Sequence, residues 1–284
     1  MLKQKYLLIS LFAIILLILS GCTPAKQLMK KAPADAHFSD NPTIFLHGFG
    51  GNASSMQPLI NAIERAKLGT AVETIHVRAN DTLATTGTLT AKANNPLINI
   101  VFDDSTNGNP AHNARILRVI IEKLHHQYHF KKFNVVAHSM GNSTLAEYLL
   151  NNSNNSNLPT LNKYVAIASI SNSFIGGSGS TNASRSPLLA DGQPTIKSTI
   201  FNHFSKLHTT FPKAAHVLNI FGNLNDGSES DGRVPINSAQ ALKYLTSRSA
   251  SYQQQEFTGS NAQHSKLKRN PQVEKTVMHF LFED

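Results

Sequence analysis

A serine that is to attack a carbonyl needs a turn that exposes it, a base that takes its proton and donors that hold the oxyanion. Ser139 has the surroundings for the first requirement. It stands in Ala137-His138-Ser139-Met140-Gly141, with a small residue two places before it and another two places after. The apolar run Phe133-Asn134-Val135-Val136-Ala137 precedes it, and Leu145, Tyr148 and Leu149 follow at helical spacing. This is the pattern of a nucleophile elbow, in which bulky flanks would strike the neighbouring strand and helix. Alanine replaces the first glycine of G-x-S-x-G but keeps that flank small. The competing reading is a plain helix N-cap, where serine is favoured. It explains neither His138 nor the abrupt end of a buried strand in small residues.

The order that accompanies such an elbow is serine, acid, histidine. Of the 13 histidines, His203, His208, His216, His264 and His279 follow Ser139 by a useful distance. His279 falls within a helical period, His216 begins a strand, and His203 and His208 lie in an irregular insert. His264 lies in a loop between a strand and the last helix and is the expected base. The acid should come from the loop after Val217–Phe221, which offers Asp226, Glu229 and Asp231. Asn223, Asn225, Asp226 and Asp231 lack the spacing, glycine and terminal glutamate of an EF-hand, so no metal is expected there, nor any cofactor. For the oxyanion, one donor is the N–H of Met140, the residue after the serine. The other is the N–H of Phe49 in the Gly-rich loop His47-Gly48-Phe49-Gly50-Gly51.

These groups must be held by a sheet. Thr43 to Leu46 reads as a buried strand leading into the Gly-rich loop, and Met56, Leu59, Ile60 and Ile63 mark a helix. Ala71 to Val77 is a strand, and Thr82–Leu89 and Leu97–Phe102 look like two more around a turn at Asn94-Asn95-Pro96. A long helix runs from about Asn109 to Tyr128, and further strands follow at Tyr164–Ala168, Val217–Phe221 and Tyr252–Phe257. Ala239–Leu245 and Val273–Phe282 read as helices. Strands alternating with helices predict a mostly parallel sheet covered on both faces. From about residue 171 to 213 the period fails in a Gly/Ser/Asn/Thr-rich stretch, expected to be a lid-like insertion. Its Phe174, Phe201, Phe204 and Phe211 suggest an apolar acyl site or a small satellite core.

The 284 residues suffice for one large domain, expected over 42–284. Lys3 and Lys5, then an apolar run from Tyr6 to Leu19 and Leu19-Ser20-Gly21-Cys22, describe a secretory signal over 1–21. The run is near the lower limit of ~17 residues for spanning a bilayer. Cys22 is the only cysteine and so has no disulfide partner within the chain. Leu-Ser-Gly-Cys resembles the bacterial lipobox, which implies lipidation at Cys22 and anchoring at the outer face of a bacterial membrane. Residues 22–41 are then a tether. The net charge of +9 falls to +7 without Lys3 and Lys5. A moderately basic surface suits an anionic membrane exterior, and the chain lacks the dense Lys/Arg runs with aromatics that nucleic-acid binding would call for.

Taken together these residues resemble a lipase/esterase-type α/β-hydrolase. His47 to Gly51 and Ala137 to Gly141 are both similar to secreted bacterial lipases, including the alanine in the elbow. The fuller pattern resembles the uncharacterised bacterial cell-surface (lipoprotein) α/β-hydrolase family. That resemblance rests on Asn95-Pro96-Leu97-Ile98, the elbow, Asp231 to Pro235, Asn237-Ser238-Ala239-Gln240, and His264 with Leu267 and Asn270-Pro271. It runs from about Thr43 to Phe282. It implies an α/β-hydrolase fold and a serine hydrolase acting on carboxylic esters, with a small-molecule or lipid ester as substrate. Asp231, ahead of Val234-Pro235 as in the acid loop of many members, is the implied acid, and Asp226 is the alternative. Amide or thioester cleavage would use the same groups. A surface-binding lipoprotein on a hydrolase scaffold is the non-enzymatic alternative, against which all the catalytic elements survive. A ligand-binding lipoprotein would show two similar lobes, and only one is legible.

Overall fold

The computed structural model describes residues 35–90, 93–177 and 186–283. The chain divides into two units, Met1–Lys30 and Lys31–Asp284. The apolar run, Cys22 and the expected tether up to Ala34 lie outside the described residues, as do residues 178–185 of the insertion.

Strand β1 (Thr43–Leu46) is buried along its whole length, as a strand covered on both faces must be. Ile44 and Leu46 enter one core and Phe45 the other, the period-2 alternation of a strand. With β2 (Thr70–Val77), β3 (Leu83–Gly87), β4 (Pro96–Phe102), β5 (Lys132–His138), β6 (Thr160–Ile167), β7 (His216–Asn223) and β8 (Ser251–Thr258) it forms one eight-stranded sheet. The order is β3-β2-β4-β1-β5-β6-β7-β8, and every neighbouring pair is parallel except β2 with β3. Leu46 lies beside Ile100 and Ala137, and His138 beside Ile167, so the ends of β1, β4, β5 and β6 are level. The expected doubly covered parallel sheet is the observed one. The strands on either side of Asn94-Asn95-Pro96 are not neighbours in the sheet: β3 folds back antiparallel on β2 while β4 inserts between β2 and β1.

Helix α1 (Gln57–Arg65) covers one face together with the last helix, α8 (Pro271–Phe282). The other face is covered by α2 (Pro110–Tyr128) and α3 (Met140–Asn152). Two of these helices start in the same way. Asn109 accepts from Ala111 N–H (3.0 Å) and His112 N–H (3.2 Å), and Asn270 accepts from Gln272 N–H (3.0 Å). Each is followed by a proline whose missing N–H is harmless at that position.

The expected tether is partly structured. Asn95 N–H donates to Ser39 C=O (2.7 Å), and its Oδ1 accepts from Ser39 N–H (2.8 Å). Its Nδ2 donates to the carbonyls of His37 and Leu68, both at 2.8 Å. His37 N–H reaches Phe282 C=O at 2.6 Å. Residues 37–39 are therefore fixed at the amino-terminal edge of the sheet, so the polar composition read as tether includes a docked arm. Among the described residues no helix is long and apolar enough to cross a membrane.

The insertion also differs from a loose flap. It contains α4 (Thr199–Phe204) and α5 (Leu207–Thr210), and Phe201, Phe204 and Phe211 are buried in the same core as α2 and α3. Helices α6 (Ile236–Gln240) and α7 (Leu242–Leu245), read as one helix in the sequence, divide at Ala241, and α7 joins this core through Leu242 and Leu245. These three phenylalanines belong to the main core rather than to a satellite core, and Phe204 and Phe211 also line an apolar cavity beside α3. Deleting a fully buried aromatic side chain removes about 3–5 kcal/mol. Phe201→Ala is expected to lower the unfolding free energy by that amount in urea titration. A loss below about 1 kcal/mol would mark the insertion as detachable from the core.

Candidate active site

Strand β5 ends at His138 and α3 begins at Met140, so Ser139 makes the whole turn between them. It does so at φ 53° and ψ −120°, a conformation that L-residues seldom adopt. Gly141 has to be glycine. A Cβ there would lie 2.7 Å from Leu46 O and 2.9 Å from Leu46 Cβ. The turn is tied to β6 by Ser139 N–H to Ile167 C=O (3.0 Å). Asn142 Nδ2 donates to the carbonyls of both Ser139 (3.1 Å) and Ile167 (3.0 Å), and its Oδ1 accepts from Tyr164 O–H (2.8 Å). No sequence signal singled out Asn142, a buried amide on the first turn of α3.

His264 stands between two 3₁₀ turns, Ser260–Ala262 and Leu267–Arg269. Its Nε2 is 2.9 Å from Ser139 Oγ and its Nδ1 is 2.8 Å from Asp231 Oδ2. A carboxylate only accepts, so Nδ1 carries the proton and Nε2 is free to accept from the serine hydroxyl. The other oxygen of Asp231 accepts from the backbone N–H groups of Arg233 (2.8 Å) and Val234 (2.6 Å). Asp231 is 1% exposed. Asp226, in the same loop, is exposed and turned to its own neighbour Ser228 (N–H to Oδ1, 2.9 Å), which holds its pKa below the usual carboxylate value. Of the two acids weighed in the sequence, only Asp231 meets His264. The other histidines have other partners: His203 meets Glu147 (2.5 Å), His216 meets Ser251 (2.8 Å), and His208 stacks on Tyr244. His279 pairs with Glu283 at 2.9 Å.

The Gly-rich loop closes over the elbow. A Cβ on Gly48 would lie 2.9 Å from both Ser139 Cβ and His138 Nδ1. The next amides are occupied, Gly50 N–H by Ser105 C=O (2.8 Å) and Gly51 N–H by Gly48 C=O (3.0 Å). Among the described residues the Phe49 N–H has no protein acceptor. Met140, as the first residue of α3, has an N–H with no carbonyl one turn earlier in its helix. The Phe49 side chain is 59% exposed, so the loop presents an apolar group to solvent.

Two buried histidines complete the surroundings. His47 Nδ1–H donates to Gly48 C=O (2.7 Å), and its Nε2 accepts from Phe102 N–H (2.9 Å). That pair of roles requires a neutral ring, and burial pushes its pKa down, with a further push from Lys268. His138 donates from Nε2 to the His264 carbonyl (2.9 Å). Burial holds its pKa well below the ordinary histidine value, reinforced by His264, Lys268 and His47. Among the described residues no three His, Cys, Asp or Glu side chains gather in a way that could hold a metal ion.

The family model for alpha/beta hydrolases of unknown function (DUF915) matches residues 30–284. Solved structures with this fold include a gene product of Listeria innocua, 25% identical with a TM-score of 0.74, covering 86% of this chain and 94% of that one. Another, from Lactobacillus plantarum and named as a candidate cell surface hydrolase, is 24% identical with a TM-score of 0.68, covering 85% and 91%. Comparison with curated proteins returns no match.

The two depressed histidines set an acid sensitivity. Unfolded, each ring titrates near pH ~6.5, and folded, each does so lower. Below ~6.5 the unfolded chain therefore binds more protons, and stability is lost as pH falls through the folded values. The urea midpoint should fall from about pH 6.5 downward. A His47→Gln/His138→Gln double variant should show a flatter profile, whereas an equally steep one would assign the loss to carboxylates.

Proposed function

The chain belongs to this alpha/beta hydrolase family, and from that membership we propose that it is a serine hydrolase cleaving carboxylic esters. Ser139 is the nucleophile, His264 the base, Asp231 the orienting acid, and the N–H groups of Phe49 and Met140 bind the oxyanion. The observation that carries the reading is the unbroken run of contacts from Ser139 Oγ through His264 to the buried Asp231 carboxylate, at 2.9 and 2.8 Å.

In the first half-reaction Ser139 Oγ bonds to the carbonyl carbon as its proton passes to His264 Nε2. The negative charge on the former carbonyl oxygen falls to the two backbone donors, and Asp231 stabilises the imidazolium. His264 then returns the proton to the leaving alkoxide as the C–O bond breaks, leaving an acyl-serine. Water repeats the sequence with His264 as base and restores Ser139. An ester fits this scheme more readily than an amide because an alkoxide leaves more easily than an amine. Labelling by a fluorophosphonate and hydrolysis of p-nitrophenyl esters of graded chain length test it. Wild type should label and turn over, and Ser139→Ala should do neither. Asp231→Asn should lower kcat by ~10⁴, while Asp226→Asn should leave it nearly unchanged. Folded wild type that resists the probe, or labelled Ser139→Ala, would overturn the assignment.

We further propose that a lipid on Cys22 holds the enzyme at the extracytoplasmic face of the membrane. The lipobox-like Leu19-Ser20-Gly21-Cys22 supports this reading. In cell fractionation Cys22→Ser should move the protein out of the membrane fraction. Retention there would point to an uncleaved apolar segment instead.

A further inference from the structure

His138 is the residue before the proposed nucleophile, and its ring is spent on the proposed base. It is 4% exposed and lies 4.8 Å, centroid to centroid, from the ring of His264. Its Nε2 is 2.9 Å from the main-chain oxygen of His264. A carbonyl can only accept, so Nε2 carries the proton and Nδ1 does not. Nδ1 has no protein partner among the described residues and faces Gly48 at a distance that leaves no room for a side chain there. The ring thus has one polar contact, and it fixes another residue's backbone.

That contact completes a brace. The His264 N–H donates to the Asp231 carbonyl at 2.9 Å. One end of the His264 peptide is therefore held by the residue that supplies the acid, and the other by the residue joined to the serine. The two ring nitrogens meet Asp231 Oδ2 and Ser139 Oγ, so ring and backbone share Asp231 as a partner, and the other partners, His138 and Ser139, are neighbours in the chain. With the His138 contact the backbone of His264 cannot shift along β5 without breaking a buried hydrogen bond. Without it, the carbonyl end of His264 is free to move with the loop, and the Nε2 to Oγ distance moves with it.

We propose that His138 is a positioning residue for acyl transfer, which holds the His264 main chain so that Nε2 stays on Ser139 Oγ. This rests on the reading of Ser139, His264 and Asp231 as the catalytic set. A displacement of order 1 Å at a reacting pair lowers the rate by about 10²-fold.

The test compares His138→Gln, His138→Asn and His138→Leu by steady-state hydrolysis of a p-nitrophenyl ester, with active sites counted by fluorophosphonate titration. Gln carries an amide N–H to the place of Nε2, Asn stops short of it, and Leu has no donor. Gln should stay within about 5-fold of wild type, and Asn and Leu should lose about 10- to 100-fold in kcat per titrated site. KM should change little, since no substrate contact is removed. Because Gln and Asn share the same chemistry, their comparison stands even if the Leu variant does not fold. Equal losses in Gln and Asn, unchanged kcat in Asn, or a loss confined to the fraction of titratable sites would each overturn the proposal. Ser139→Ala in the same assay separates the two readings. If it keeps full activity, the catalytic set is wrong and the role of His138 falls with it.

Discussion

The backbone at Ser139 lies in a region that L-residues avoid, at φ 53° and ψ −120°, which is unfavourable by on the order of 1–3 kcal/mol. It persists because the turn is packed on both sides. Gly141 rests against Leu46 of β1, the Ser139 N–H is bound to Ile167 of β6, and Asn142 joins the carbonyls of Ser139 and Ile167. Any relaxation of the serine would break buried hydrogen bonds or press a helix into a strand. The order β1-β5-β6 in the middle of the sheet is thus what keeps the side chain raised at the end of β5.

A parallel sheet collects the carboxyl ends of its strands on one edge, which brings together loops far apart in the chain. Here β1 delivers His47 to Phe49, β5 delivers Ser139, β7 delivers the loop bearing Asp231, and β8 delivers His264. The loops are fitted to each other as well as to the sheet. A Cβ on Gly222, at the end of β7, would lie 2.0 Å from Ala262 O, so the segment leading to His264 runs directly over the strand that leads to Asp231. This close approach makes the distance between the two side chains a property of the backbone.

The two buried histidines of the site are neutral. Burial lowers the pKa of His47 and of His138, and the nearby Lys268 charge pushes both further down. For His47 the hydrogen-bond geometry favours the same state as desolvation, since a protonated Nε2 could not accept from Phe102 N–H. In the proposed cycle His264 is the ring that gains a proton. Neutral neighbouring rings leave Asp231 as the charge that this imidazolium meets at close range.

Much of this was legible in the residues alone. Apolar runs and helical periods gave away the strands and helices, because each is a pattern of consecutive residues answering to one local geometry. The small flanks of Ser139 and the glycines after β1 pointed to the elbow and its covering loop for the same reason. Composition misled where chain contacts override it: Phe201, Phe204 and Phe211 sit in a Gly/Ser/Asn-rich stretch yet belong to the main core, and residues 37–39 look like linker yet are clamped by Asn95. The choice between Asp226 and Asp231 could not be made from spacing, since both stand in one loop and the direction of each carboxylate follows from backbone contacts such as Val234 N–H on Asp231. Nor could the roles of His47 and His138, which depend on burial and on partners 55 and 126 residues away. The sequence by itself determined the types of group present and their order along the chain. Which of them touch was decided only when β7 and β8 came to lie side by side and carried Asp231 and His264 to the end of β5.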